Sequence, residues 1–178
     1  MIIDTHCHLA SAQFDQSRRK AYVEHALREG IDRMITLGAR PDDWEANTAW
    51  ARQFPGVVFC ALGIHPDDAH EAPEGWADRL SRMAQDIPLA AIGETGLDYF
   101  HGAPRGWEAD SFRRLQQNLL EQHFDLAARL GLNIVLHTRD RKGSGSFEDA
   151  LAIARNHAGR VRPVFHCFIG DTAQAARI

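Results

Sequence analysis

The sequence predicts an α/β fold built on a parallel sheet, because strand-like and helix-like runs alternate along its 178 residues. The strand-like runs are almost continuously apolar, as is typical of parallel strands covered by helices on both faces. A second observation is that most of these runs end abruptly at a histidine or a glutamate. The predicted strands are Ile2–His8, Ile31–Leu37, Val57–Ile64, Leu89–Glu94, Asn133–His137 and Val161–Phe168.

Helix boundaries are marked by residues with known preferences for helix ends. Gly30 and Gly131 stand where helical periodicity stops, as expected for residues that end helices. Pro41, followed by Asp42 and Asp43, suits the first turn of a helix, where carboxylates favour the positive end of the dipole. The predicted helices are Arg18–Glu29, Pro41–Ala51, Trp76–Gln85, Trp107–Leu130 and Phe147–Asn156, with a helical turn from about Asp171.

The βα units follow one another without a linker or a low-complexity segment, so the sheet is either open and doubly wound or rolled into a barrel. No glycine fingerprint for a dinucleotide follows the first strand. In barrels, functional residues gather at the carboxyl ends of several strands, which is where the histidines and the glutamate fall. We therefore predict a TIM-type parallel β/α barrel in one domain, residues 1–178, with about six of eight βα units.

Composition excludes some function classes. Hydrophobic residues make up 44% of the chain and charged residues 25%, as in ordinary globular proteins. A net charge of −4 and a pI near 6.2 give no overall basic surface for tight nonspecific binding of nucleic acid. An enzyme whose metal ions neutralise phosphate locally remains compatible with this charge.

The cysteines Cys7, Cys60 and Cys167 are odd in number and lack CxxC spacing. Because each lies in or beside an apolar run, we interpret them as buried free thiols of a reducing compartment. No secretory signal is visible, and no apolar run approaches the roughly 18 residues of a membrane span. We therefore expect a cytoplasmic protein without membrane contact.

The first strand carries Asp4, His6 and His8, which period-two geometry places on one face. Two imidazoles about 7 Å apart along a strand can both reach one ion. Asp4 would lie behind them and orient a ring nitrogen. The alternative is an edge strand with two solvated histidines.

Three later strands end in Glu94, His137 and His166. A carboxylate at a strand end can bridge two cations, although a glutamate there can also cap the next helix. Either histidine alone would more often be a hydrogen-bonded core residue. Because these three residues lie at the same sheet edge as the HxH pair, we interpret all three as metal ligands.

Three further residues are candidates for substrate contacts. His65 can bind phosphate, assist a proton transfer or anchor its loop. Arg139 can pair with a phosphate in a bidentate manner or form a salt bridge with Asp140. Tyr99 can stack on a base or sugar or simply pack in its loop. The remaining histidines are interpreted as surface residues: His25, His70, His101, His123 and His157.

Several of these segments match one family in order and with similar spacing, over residues 1 to about 172. The chain resembles the TatD family of metal-dependent deoxyribonucleases. The segments that carry the resemblance are Asp4-Thr5-His6-Cys7-His8-Leu9, Gly63-Ile64-His65-Pro66, Gly93-Glu94-Thr95-Gly96-Leu97-Asp98-Tyr99, His137-Thr138-Arg139-Asp140 and His166-Cys167-Phe168.

The resemblance implies a barrel hydrolase of the wider amidohydrolase type that uses one or two divalent cations, Mg²⁺, Mn²⁺ or Zn²⁺. His6 and His8 would hold the first ion, and Glu94 would bridge the two ions and act in catalysis. His137 and His166 would hold the second ion. The implied substrate is DNA, cleaved at phosphodiester bonds, usually from an end. The oligomeric state stays open, with a monomer compatible.

One departure from the family pattern affects the expected activity. Family members continue for about two more βα units, and the last strand carries an acidic residue that completes the first ion site. The only acid after His166 is Asp171, too close to the sixth strand to replace it. We therefore expect either a fragment of a longer protein or a missing portion supplied by another chain.

Two alternatives to a DNase follow from the same residues. Related barrels with such a metal centre hydrolyse a small amide, ester or lactone. A remnant that binds a metal or a partner but has no activity is the other alternative, given the missing strands.

Overall fold

The computed structural model describes residues 1–178. All strand pairs are parallel, and the strands lie in the sheet in their order along the chain, which confirms the predicted α/β class. The six strands are β1 (Ile3–Cys7), β2 (Arg33–Gly38), β3 (Val58–Leu62), β4 (Ala91–Tyr99), β5 (Ile134–Asp140) and β6 (Pro163–His166).

A helix follows every strand, so the chain contains six βα units, as predicted. No helix is both long and apolar enough to cross a membrane. The α-helices are α1 (Arg19–Arg28), α2 (Trp44–Gln53), α3 (Trp76–Asp86), α4 (Ala109–Leu130), α5 (Gly145–Asn156) and α6 (Thr172–Ala175), with short 3-10 helices at Gln16–Arg18 and Pro66–Glu71.

The sheet is strongly curled. In a flat six-stranded sheet, the two edge strands would lie about 24 Å apart, since neighbouring strands are about 4.8 Å apart. Here the rings of His6, from β1, and His166, from β6, are stacked with centroids 3.4 Å apart. The carboxyl ends of the edge strands therefore converge, as expected for strands of a barrel.

Strand β4 extends five residues beyond the predicted end at Glu94. Its pairing with β5 continues through Gly96, Asp98 and Tyr99. Gly96 makes this possible: its φ is +146°, and a Cβ there would lie 2.0 Å from the carbonyl oxygen of His137. The glycines and polar residues that suggest a loop in sequence are thus a strand pressed closely against its neighbour.

The main core is a cluster of 24 buried apolar residues between the sheet and helices α2 to α5. Leu120 and Phe124 of α4 are fully buried against it. Two histidines predicted at the surface are also buried, because they lie on the inner side of this layer: His123 is 0% and His157 3% exposed. Each is hydrogen-bonded, His123 to Ile64 and Leu119, and His157 to Glu121.

The three cysteines are free, but only Cys60 is buried. Burial raises the pKa of Cys60 to about 12 and, together with the nearby Asp4 carboxylate, that of the partly buried Cys7 to about 12. Cys167 is exposed, which corrects its predicted burial. Strand β6 ends at His166, so Cys167 lies beyond the sheet, with φ at +48°.

Candidate metal centre

The predicted strand-end residues converge on the carboxylate of Glu94, whose side chain is 7% exposed. Its Oε2 lies 3.4 Å from Nε2 of His6 and 3.8 Å from Nε2 of His8. Its Oε1 lies 3.2 Å from Nδ1 of His137 and 4.0 Å from Nε2 of His166. The structure thus gathers all five predicted ligands, one pair of histidines on each carboxylate oxygen.

The curled sheet explains this convergence, because four different strands contribute their carboxyl ends. Asp4, on β1, has a different role from the predicted one: its Oδ1 accepts a hydrogen bond from the backbone N–H of His6 (3.1 Å), not from an imidazole. The pairing of β1 with β2 shifts between Asp4 and Cys7. This local irregularity places Asp4 against the strand backbone.

The donor set fits a divalent cation. Ligand atoms that are each about 2.1 Å from one ion lie about 3–4 Å from one another, close to the spacings around Glu94. Two triads bring their ligand atoms within 4.8 Å of each other: His6, Glu94 and His166, and His65, Glu94 and His137. Imidazole and carboxylate groups suit Zn²⁺, Mn²⁺ and related ions.

Glu94 is ionised despite its burial. Burial alone would raise its pKa, but hydrogen bonds from His137 and His6, and the charges of nearby histidines, hold the pKa well below its usual range. Glu94 therefore keeps a fixed negative charge among these imidazoles, which favours the binding of a cation.

Asp98 belongs to the site, although the sequence prediction omits it. Its side chain is fully buried, and its Oδ2 lies 2.9 Å from Nε2 of His137. Burial alone would lower the pKa of His137, but hydrogen bonds to Asp98 and Glu94 raise it to about 9. The same histidine, with others nearby, holds the pKa of Asp98 well below its usual range against the opposing effect of burial.

A signal for Asp98 exists in the sequence. Residues two and four apart on a strand share a face, so Glu94 and Asp98 point the same way whenever β4 continues beyond Glu94. Ending the predicted strand at Glu94 hides this relationship.

His65 lies beside the cluster, with its ring centroid 4.4 Å from that of His137. Burial lowers its pKa, and the positive charge of His137 lowers it further against the nearby carboxylates. The backbone N–H of Asp67 donates to Nδ1 of His65 at 3.2 Å. Neutral His65 therefore carries its proton on Nε2.

His101, which the sequence predicts at the surface, extends this network outward. The side chain is 48% exposed, and its Nδ1 lies 3.1 Å from Asp98 Oδ2 and 3.4 Å from Asp67 Oδ2. Asp67, Asp98 and His101 form a third group with ligand-like spacing. Acidic residues thus connect His65, His137 and His101.

Tyr99 and Arg139 are not gathered into the cluster. The Tyr99 hydroxyl donates to Asp149 (2.8 Å) and accepts from Gln117 (2.8 Å), so it lies between α4 and α5. The Arg139 guanidinium stacks on the ring of Phe100, 4.3 Å from its centroid. Arg139 forms no salt bridge with Asp140, whose carboxylate instead accepts hydrogen bonds from Ser146.

Curated relatives align over nearly the whole chain. It is 28% identical over 178 residues to an uncharacterized metal-dependent hydrolase, YabD, of Bacillus subtilis, covering 99% of this chain and 64% of that protein. It is 30% identical over 177 residues to a 3′-5′ ssDNA/RNA exonuclease, TatD, of Cronobacter turicensis, covering 99% and 62%. The chain thus spans less than two thirds of the length of these relatives.

Solved structures show the same fold. The crystal structure of YjjV, a TatD homolog from Escherichia coli, superposes with a TM-score of 0.82 at 26% identity, covering 99% of this chain and 63% of that one. A TatD family hydrolase from Entamoeba histolytica gives a TM-score of 0.77 at 20% identity, covering 99% and 61%. A sequence model described as TatD related DNase matches residues 3–178. The chain therefore belongs to the TatD family.

Proposed function

We propose that this chain carries the cation site of a hydrolase that cleaves phosphodiester bonds in DNA, acting on single strands from an end. The observation that carries the proposal is the buried Glu94 carboxylate with two histidines on each of its oxygens. Membership of the TatD family, and the exonuclease name of the Cronobacter relative, support the choice of substrate.

The proposed ligands follow the division of histidines between the two oxygens of Glu94, although the spacing of ligand atoms groups His166 with His6. His6 and His8 would hold one ion with Oε2, and His137 and His166 would hold the second with Oε1. Bound divalent cations would lower the pKa of a water molecule and stabilise charge on the phosphate oxygens. Glu94 would supply the fixed negative charge that both positions share.

The protonation states of two histidines, His166 and His65, would support this chemistry. Burial, together with the charge of His6, lowers the pKa of His166, which favours its neutral, ligating form. His137, whose pKa is raised to about 9, would release a proton when an ion binds. His65 would donate from Nε2–H to a substrate oxygen, because its Nδ1 is occupied by the Asp67 N–H. The predicted substrate contacts of Tyr99 and Arg139 stay predictions.

A nuclease assay on single-stranded DNA labelled at its 5′ end tests the proposal. Progressive shortening in the presence of Mg²⁺, Mn²⁺ or Zn²⁺, lost with a chelator and restored by added metal, is the expected result. Cleavage that survives chelation would contradict the metal-dependent mechanism. Hydrolysis of small amides, esters or lactones, with DNA left intact, would instead favour the alternative hydrolase class.

A further inference from the structure

A cavity of about 490 Å³ opens beside the metal centre. The end of β4, the segment after β5 and the start of α4 enclose it. Asp98 lines its inner end and connects it to His137. Three cationic side chains line the same cavity: Arg113, Arg141 and Lys142.

These three cations have no carboxylate partner within salt-bridge distance. Against the two carboxylates of the lining, Asp98 and Asp140, the three cations leave a net positive charge, opposite in sign to the net charge of −4 of the whole chain.

Two of the cations are held in place by the end of β4. The Arg113 guanidinium lies over the ring of Tyr99, 4.7 Å from its centroid. Arg141 donates from Nε and Nη2 to the carbonyl oxygen of Phe100, at 3.4 and 3.2 Å. Each guanidinium keeps further N–H groups free, since arginine has five.

The carboxylates that line the cavity are already engaged. Asp98 accepts hydrogen bonds from the backbone N–H groups of Phe100 and His101, in addition to its imidazole contacts. Both oxygens of Asp140 accept from Ser146. The cations are therefore not paired with these carboxylates, and an anion of the right shape can take their free donors.

We propose that this cavity binds a backbone phosphate of the nucleic-acid strand, next to the phosphate at Glu94. The inference rests on the proposed function, which places a phosphodiester at the metal centre. Paired guanidinium groups suit phosphate oxygens, and Lys142 adds a third charge. Phe100, whose ring contacts Arg139 and Arg141, lies on the same side for stacking against a base.

The test compares two double variants that each remove two positive charges. Arg141→Ser with Lys142→Ser removes two of the three cations that line the cavity, whereas Arg155→Ser with Arg162→Ser removes two exposed cations outside it. The ligand is a fluorescent single-stranded oligonucleotide with phosphorothioate linkages, which keep the charge and resist cleavage. Its Kd is measured by fluorescence anisotropy over a range of salt concentrations, with the protein's metal content as purified.

The cavity variant should raise Kd about tenfold and lower the slope of log Kd against log salt by about 0.7, the contribution of one single-strand phosphate contact. The Arg155/Arg162 variant should change neither. Equal weakening in both variants, or none in the cavity variant, would overturn the proposal. Arg113→Ser removes the third cation that lines the cavity, which lies on α4.

Titration with inorganic phosphate distinguishes a site for a phosphate of the nucleic-acid strand from a site for a free anion. Calorimetric titration measures the binding of inorganic phosphate to the unaltered protein and to the cavity variant. If the cavity variant loses phosphate binding but keeps its affinity for the oligonucleotide, the cavity binds a small anion and the proposal of a strand phosphate is overturned. The proposed function fails separately, if the unaltered protein neither binds nor cleaves any nucleic acid.

Discussion

Asp98 accepts a hydrogen bond from Nε2 of His137 at 2.9 Å, which leaves Nδ1 as the ring nitrogen that faces Glu94. A carboxylate behind a histidine fixes the orientation and tautomer of the ring, and such contacts tune many metal sites. The predicted ligand His137 thus acts as one part of a carboxylate–histidine pair.

Replacing Asp98 by Asn should weaken binding of a divalent cation by about 10- to 100-fold. The amide keeps an oxygen for the backbone N–H groups of Phe100 and His101 but loses the negative charge behind His137. Titration calorimetry with Mn²⁺ measures the affinity. Asp78→Asn, on the exposed face of α3, should bind Mn²⁺ as the unaltered chain does, and equal affinities in both variants would exclude this role for Asp98.

Gln116 supports the same strand from α4. Strand β3 pairs with β4 only as far as Ile92, so the edge of β4 beyond that point needs other partners. The fully buried Gln116 provides them, accepting from the N–H of Asp98 (3.0 Å) and donating to its carbonyl oxygen (3.3 Å).

Gln116→Leu should therefore lower the free energy of unfolding by about 3 kcal/mol, since it leaves two buried backbone groups without a partner. Urea unfolding measures this change. Gln122→Leu, exposed on the same helix, is the matched control and should stay within about 0.5 kcal/mol of the unaltered chain. Similar losses in both variants would contradict the importance of this contact.

The buried His123 predicts a specific acid sensitivity. Burial lowers its pKa to about 4, although its hydrogen bond to the Leu119 carbonyl opposes the shift. Above the unfolded pKa of about 6.5, both states are neutral and the residue adds no pH dependence. Between pH 6.5 and 4 the unfolded state binds a proton that the folded state does not, so stability falls by about 3 kcal/mol.

His123→Gln should remove this contribution, so that the variant loses about 3 kcal/mol less than the unaltered chain between pH 7 and pH 4. Denaturant unfolding at both pH values gives the comparison. The exposed His25→Gln variant should keep the full acid sensitivity. An unchanged pH dependence in His123→Gln would show that the buried imidazole is not its source.

Sequence periodicity predicts the six strands and most of their boundaries, because each apolar run is long enough to identify. It fails where a strand is built from unusual residues: Gly96 and Asp98 resemble a loop but pair closely with β5. His123 also escapes notice, although it lies one turn after Leu119 on the buried face of α4. Single polar residues on apolar faces are better interpreted as buried and hydrogen-bonded.

The residues around Glu94 were predictable because parallel strands bring their carboxyl ends to one edge of the sheet. Contacts that depend on the direction of a side chain could not be predicted in this way. Asp4 contacts backbone rather than an imidazole, and the Tyr99 hydroxyl lies between two helices. Such choices depend on local strand irregularities and helix packing, which a linear pattern does not encode.

Glu94 is the proposed shared ligand of a divalent-cation site, and the metal content of the protein tests this role most directly. After dialysis against Zn²⁺ or Mn²⁺, elemental analysis should find one or two ions per chain in the unaltered protein and none in Glu94→Gln, which keeps the shape but not the charge. An unaltered chain that binds no ion, or a Glu94→Gln variant that binds as much as the unaltered chain, would contradict the claim.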